Sequence, residues 1–164
     1  GFAEHVAAMR ACWGPDPVEF HGEHYRIPRS AVGPKPYAGR IPLFFGALVR
    51  PAIERAARLG DGVVLVALDW DETKTKIGWY REAGGDGGTV VVNTIPAYPE
   101  GAARPDGTVT TAAFVETVLA DLDRAAAVGA DEMHISLNLG TPVPPDRQAE
   151  LLEALAAELR LGAG

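Results

Sequence analysis

Four groups of residues in this chain have types and spacings that chemistry uses. The first is Gly46-Ala47-Leu48, which follows the apolar run Ile41 to Phe45, and its counterpart Ala67-Leu68, which closes the apolar run Val63 to Ala67. Ligands of parallel α/β folds bind beyond the carboxyl ends of the strands, and small residues there let the backbone come close to a ligand. The competing reading of Gly46-Ala47-Leu48 is a plain strand-to-helix turn. The second group is the row Glu132, His134, Ser136 and Asn138, which alternates with Met133, Ile135, Leu137 and Leu139. Side chains alternate along a strand, so the polar set shares one face. His134, Ser136 and Asn138 are candidates to line a substrate or cofactor pocket, or else they satisfy one another in a core. The third group is His21, Glu23 and His24. Zinc sites need a third or fourth ligand at suitable spacing, none is obvious, and no metal is expected. The fourth is the acidic cluster Asp69, Asp71 and Glu72, which reads as an N-cap with helix-dipole matching. Cys12 beside Trp13 reads as an inert packed thiol. No Ser-His-Asp order, phosphate-binding loop or dinucleotide fingerprint is present, and no residue is assigned as catalytic.

The elements that would position these groups follow from periodicity. Phe2, Val6, Ala7 and Met9 mark a short helix ending near Trp13-Gly14. Val18 to Phe20 and Tyr25 to Ile27 flank a four-residue turn as a small hairpin, and Pro28 to Pro36 reads as an extended loop. Ile41 to Phe45 then forms a strand. Ala52, Ile53, Ala56, Ala57 and Leu59 give a helix, with Gly60 as its C-cap glycine and Asp61-Gly62 as the turn. Val63 to Ala67 is the next strand, and Trp70, Ile77 and Tyr80 line the next helix. A strand runs from Thr89 to about Ala97, and Tyr98 to Thr110 is a polar loop. Phe114 to Ala126 forms a strong helix. Glu132 to Leu139 is the last strand, and Leu152, Leu155, Ala156 and Leu159 face inward from the last helix.

Unbroken β-α alternation means a parallel sheet with right-handed crossovers. A doubly wound open sheet and part of an α/β barrel both fit. The polar face of Glu132 to Leu139 favours the barrel, because a central strand of an open sheet is apolar on both faces. A complete barrel needs about 200 residues or more, so four units make half of one. The expected organisation is a single domain, residues 1–164, with a helix, hairpin and loop over 1–40 and four β-α units over 41–164.

The 164 residues carry a net charge of −7, which argues against nucleic acid and anionic membranes as partners. A single cysteine excludes an internal disulfide and makes the cytoplasm the default setting. No apolar run approaches the roughly 18 residues of a membrane span. The first residue is Gly1 rather than Met, and this is read as a fragment, a processed product or a tag remnant.

The run Val18-Glu19-Phe20-His21-Gly22-Glu23-His24-Tyr25 resembles a hairpin motif of the luciferase-like monooxygenase family. Pro34-Lys35-Pro36, Ile41-Pro42-Leu43 and Ala56-Ala57-Arg58-Leu59-Gly60-Asp61-Gly62 are similar to that family too, as are the seventeen residues from Gly46 through Gly62. The resemblance implies an α/β barrel that uses FMN or the deazaflavin coenzyme F420 for redox chemistry on a small organic substrate, with this chain as its C-terminal half. It implies cofactor contacts at Gly46, Ala47, Leu48, Ala67 and Leu68. Two segments depart from the family pattern. Leu48 and Val49 stand where a Gly-Gly-x-Ser type loop is usual. Asp69 stands near a position where deazaflavin-using relatives often carry Thr, Ser and Lys for a phosphate, and Lys74, Lys76 or Arg104 are the possible substitutes. The chain by itself is therefore expected to bind FMN or F420 weakly or not at all, and to be incomplete as a catalyst. It is expected to form a homodimer through its sheet, to pair with a separate N-terminal half, or to be a piece of a longer chain. The competing reading is a non-catalytic half-barrel assembly protein with a degenerate flavin pocket.

Overall fold

The computed structural model describes residues 1–102, 108–139 and 143–160. Helix α1 (Phe2–Trp13) precedes an antiparallel hairpin of β1 (Val18–His21) and β2 (Arg26–Ser30). Four β-α units follow: β3 (Phe44–Gly46) with α2 (Arg50–Leu59), β4 (Gly62–Ala67) with α3 (Trp70–Glu82), β5 (Thr89–Thr94) with α4 (Thr111–Val128), and β6 (Glu132–Ile135) with α5 (Pro145–Glu158). The strands are parallel and lie in the order β3-β4-β5-β6.

That order decides between the two architectures the sequence leaves open. A doubly wound sheet reverses its strand order, which sends crossovers to both faces. Here the order never reverses, so right-handed crossovers put every helix on one face. The helix-side face carries Phe45, Val63, Leu65, Val90 and Val92, packed with Ile53, Ala56, Ile77 and Tyr80 of α2 and α3. Met133 and Ile135 of β6 continue it into a second cluster with Phe114 and Val118 of α4 and Leu151 and Leu155 of α5. The other face carries Phe44, Gly46, Val64, Val66, Val91, Asn93, Glu132 and His134, as the register pairs require. Among the described residues no helix covers it; Val91 at its centre is buried, while Phe44, Gly46, Glu132 and His134 are exposed. Four parallel β-α units in unreversed order, with their helices on one face, are the local architecture of a TIM barrel.

Several boundaries differ from the periodicity reading. β3 begins at Phe44, because Pro42 has no N–H to donate to a ladder and Ile41 is 49% exposed. β2 passes through Pro28 to Ser30 rather than ending before it, which a two-stranded ribbon with solvent-facing edges tolerates. β5 stops at Thr94, before Pro96. β6 stops at Ile135, and Leu139 is exposed rather than aligned with the core face. On α5 the buried pair is Leu151 and Leu155, while Leu152 faces solvent. The expected inward set was one residue out of phase at Leu152. Gly60 does end α2, but its backbone is extended (φ −102°, ψ 172°) rather than left-handed. Its lack of a Cβ matters for space: a Cβ would lie 2.8 Å from the Phe45 ring and 2.9 Å from Ala56 O.

The hairpin hangs from α1. Glu4 Oε1 accepts the N–H groups of His24 at 2.7 Å and Tyr25 at 2.8 Å. Gly22 leaves room for this contact, since a Cβ there would fall 1.9 Å from the same oxygen. α1 in turn docks on the first unit through a Phe2–Phe45 edge contact at 5.3 Å and an Arg10 Nη2 hydrogen bond to Leu59 O at 2.7 Å.

Candidate functional site at the carboxyl ends of the strands

At the end of β3, Ala47 N–H still donates to Val64 O at 3.2 Å, so the backbone stays in the ladder one residue beyond Gly46. Ala47 is buried, and Leu48 and Val49 are 65% and 61% exposed. A Cβ built on Gly46 meets nothing within 4 Å, so its backbone borders open space on the uncovered face. The first turn of α2 has no acidic residue and no side-chain cap.

The end of β4 is different. Ala67 packs in the helix-side core, while Leu68 is 79% exposed at the rim. Asp69 Oδ1 accepts Glu72 N–H at 2.8 Å, so the N-terminus of α3 is filled by its own cap. This is the expected cap with only half a capping box, because the Glu72 carboxylate turns to Lys76 Nζ at 2.9 Å instead of reaching back. Lys76 is buried along its stem and held by that pair; Lys74 is exposed, and Arg104 lies outside the described residues.

On β6, His134 is exposed on the uncovered face, with Nε2 3.7 Å from Glu132 Oε2. Ser136 Oγ donates to Asn93 Oδ1 at 2.9 Å. Asn138 lies in the turn after the strand and faces solvent. The structure thus groups His134 and Ser136 with Asn93, a residue that the reading by spacing leaves out. A polar residue interrupting the Val90-Val91-Val92 run was the available signal.

The other sequence candidates sit elsewhere. His21 Nε2 lies 2.8 Å from Glu19 Oε1 on the hairpin, and His24 contributes its backbone to Glu4. Among the described residues no three His, Cys, Asp or Glu side chains converge as metal ligands, and no helix is long and apolar enough to cross a membrane. Cys12 is half-buried, and its carbonyl accepts Lys35 Nζ at 3.0 Å.

A cavity of about 490 Å³ lies at the opposite, amino end of the strands, between Phe44, Asp61, Tyr80, Gly85, Gly88 and Thr89. Its charged lining groups, Arg40 and Asp61, neutralise each other as an ion pair. Tyr80 Oη is buried without a hydrogen-bond partner, and burial raises its pKa above the ordinary phenol value. The hydroxyl is sealed beneath the glycine turn, since a Cβ on Gly88 would sit 2.0 Å from it. The strand carboxyl ends remain the better candidate, because they combine an open glycine backbone with the polar row and are where barrels of this type place their ligands.

Comparison with known proteins agrees with this architecture. The chain matches the luciferase-like monooxygenase family over residues 1–161. It is similar to an F420-dependent glucose-6-phosphate dehydrogenase of Mycobacterium tuberculosis, 28% identical over 106 residues that make up 65% of this chain and 26% of that protein. The enzyme of the same name from Mycobacterium avium is 30% identical over 103 residues, 63% of this chain and 26% of that protein. The fold resembles an F420-dependent secondary alcohol dehydrogenase in complex with an F420-acetone adduct (TM-score 0.63, 19% identity, 93% of this chain and 60% of that one). It also resembles the monooxygenase RslO1 from Streptomyces bottropensis (TM-score 0.64, 21% identity, 99% and 61%). A third likeness is the coenzyme F420-dependent tetrahydromethanopterin reductase from Methanopyrus kandleri (TM-score 0.67, 15% identity, 96% and 62%). The matched segments cover about a quarter of the curated relatives and about three fifths of the solved chains. With its strand order, uncovered sheet face and match along nearly its whole length, the chain belongs to the luciferase-like monooxygenase family.

Proposed function

We propose that this chain forms the C-terminal wall of a flavin- or deazaflavin-dependent oxidoreductase acting on a small organic substrate, and that it is incomplete as a catalyst by itself. The observation that carries the reading is the uncovered sheet face, with open space at Gly46 on its rim and His134 exposed on its last strand. The residues of the first crossover fit a flat ring system: Gly46 lets it approach the backbone, and Leu48 offers it an apolar edge. The second crossover does not fit a phosphate, because the Asp69 carboxylate already occupies the N-terminus of α3.

FMN or coenzyme F420 would lie against Gly46, Ala47 and Leu48, with Ala67 and Leu68 at the next strand end and His134 and Ser136 toward the substrate. The bound ring would supply the redox chemistry, and the protein supplies placement and electrostatics. With the ring bound, Leu48 and Leu68 would shield the rim from water. His134 would present its imidazole to the substrate, with Glu132 beside it. The partner of this wall is a second copy of the chain or an N-terminal half, the setting is cytoplasmic, and residues 1–164 fold as one unit.

One observation favours a second reading. Leu48 and Val49 are bulky and without hydroxyls where a ligand phosphate would need small donors, and this suits a non-catalytic half-barrel assembly protein with a degenerate flavin pocket. A visible absorbance spectrum of the purified chain, with mass spectrometry of any released chromophore, tests the choice. Uptake of FMN or F420 added at millimolar concentration, seen as a shifted spectrum, supports the first reading. A colourless chain that takes up neither cofactor at millimolar concentration supports the second.

A further inference from the structure

The uncovered face carries one polar group whose hydrogen-bonding capacity is mostly unspent. Asn93 is the last residue but one of β5, on the face opposite Val92 and Thr94. Its Oδ1 accepts the Ser136 hydroxyl at 2.9 Å, and Ser136 is itself fixed because its N–H donates to Thr94 O at 2.9 Å. A carboxamide has two N–H donors besides its acceptor oxygen. Among the described residues the Asn93 Nδ2 donors have no side-chain or backbone acceptor within hydrogen-bond distance. His134 is the register partner of Asn93, so the two residues are neighbours on the same face of strands that lie about 4.8 Å apart.

Packing does not account for this arrangement. Asn is depleted in strands, and Asn93 belongs to neither apolar cluster. Because Oδ1 is committed to Ser136, the amide is held with its donors turned away from that hydroxyl. A site built this way favours a ligand acceptor over a ligand donor.

Resting on the reading of this face as a ligand wall, we propose that Asn93 is a ligand-orienting residue, with Ser136 as its positioning residue, and that its Nδ2 donates to a carbonyl oxygen of the bound molecule. The pyrimidinedione edge of a flavin-type ring and a small ketone both carry such an oxygen. His134 stands beside the same oxygen as a second polar neighbour.

The test uses the full chain, labelled with ¹⁵N, with the Asn93 side-chain amide signals identified by their loss in Asn93→Asp. FMN and acetone are added separately at millimolar concentration. The expected result is a downfield movement of the Asn93 amide protons with FMN, with acetone or with both, and the arm that moves them identifies the source of the carbonyl. In Asn93→Ala the same ligand binds about fivefold more weakly, the size of one neutral hydrogen bond. In Ser136→Ala the Asn93 signals move less, because the amide is free to rotate. If the backbone signals of Gly46 to Leu48 move while the Asn93 amide does not, the inference is overturned and the wall reading stands. If neither set moves with either molecule, both are overturned. Should Asn93→Ala unfold, the movement of the wild-type amide still decides.

Discussion

Asp61 and Leu43 are joined by two reciprocal hydrogen bonds: Asp61 Oδ2 accepts Leu43 N–H at 2.8 Å, and Leu43 O accepts Asp61 N–H at 2.8 Å. Asp131 and Val90 repeat the arrangement two strands away, at 2.7 Å and 2.9 Å. In each case an aspartate just before a strand (β4 or β6) clamps the start of the strand before it. Replacing either aspartate by alanine leaves a partly buried N–H unpaired and is expected to cost about 1–3 kcal/mol. The two clamps share no partner, so the double variant should show additive losses. Urea unfolding of the two single variants and the double variant measures this; losses under about 0.5 kcal/mol would mean that water replaces the carboxylates.

The hairpin anchor should respond to pH. Backbone donation from Tyr25, followed by that from His24, holds the Glu4 carboxyl below its ordinary value of 4.5. A depressed carboxylate stabilises the fold above the unfolded pKa and loses that contribution as pH falls through the folded pKa. The hairpin should therefore stay docked at neutral pH and loosen as the pH falls through the depressed folded pKa of Glu4, below the ordinary value of 4.5. Hydrogen exchange at the His24 and Tyr25 amides, compared between wild type and Glu4→Gln, is the measurement. The variant should exchange faster at neutral pH and lose the pH dependence.

Cofactor affinity of the chain alone should be low. Leu48 and Val49 bring no hydroxyl to the rim and the N-terminus of α3 is self-capped, so FMN and F420 should bind more weakly than micromolar, that is, by less than about 8 kcal/mol. Fluorescence titration reads this directly. Submicromolar binding would show that one wall suffices.

The uncovered face should also drive association. Phe44, Leu48, Val49 and Leu68 are exposed on it or at its rim. Full burial of such a side chain is worth about 1.5–3 kcal/mol, and because the four are already partly buried, covering them gains on the order of 5 kcal/mol, a large share of a domain's net stability. The edges of β3 and β6 add unpaired backbone groups. The chain should pair through this sheet, with itself or with an N-terminal half, and α5 should stay outside the contact. Light scattering after size exclusion checks it. A monodisperse monomer at micromolar concentration that binds no hydrophobic dye contradicts the prediction.

Local features were legible in the sequence because their causes are local. The Asp69 cap needs only Glu72 three residues on, the alternation of strands and helices needs only periodicity, and the family motifs lie within a few residues of one another. Gly46-Ala47-Leu48 and His134 could be singled out in the same way. Other features depend on partners distant in sequence. Leu43, just before β3, is tied down only because Asp61, 18 residues on, takes its N–H. Asn93 joins the candidate site only because Ser136, 43 residues later, reaches it across the ladder. The periodicity of α5 is nearly equal for Leu151 and Leu152, and only contact with α4 selects Leu151 for burial. The uncovered face itself was decided by tertiary structure: the same four β-α units wind doubly or curl toward a barrel according to strand order, and strand order is a long-range choice made by which edges pair.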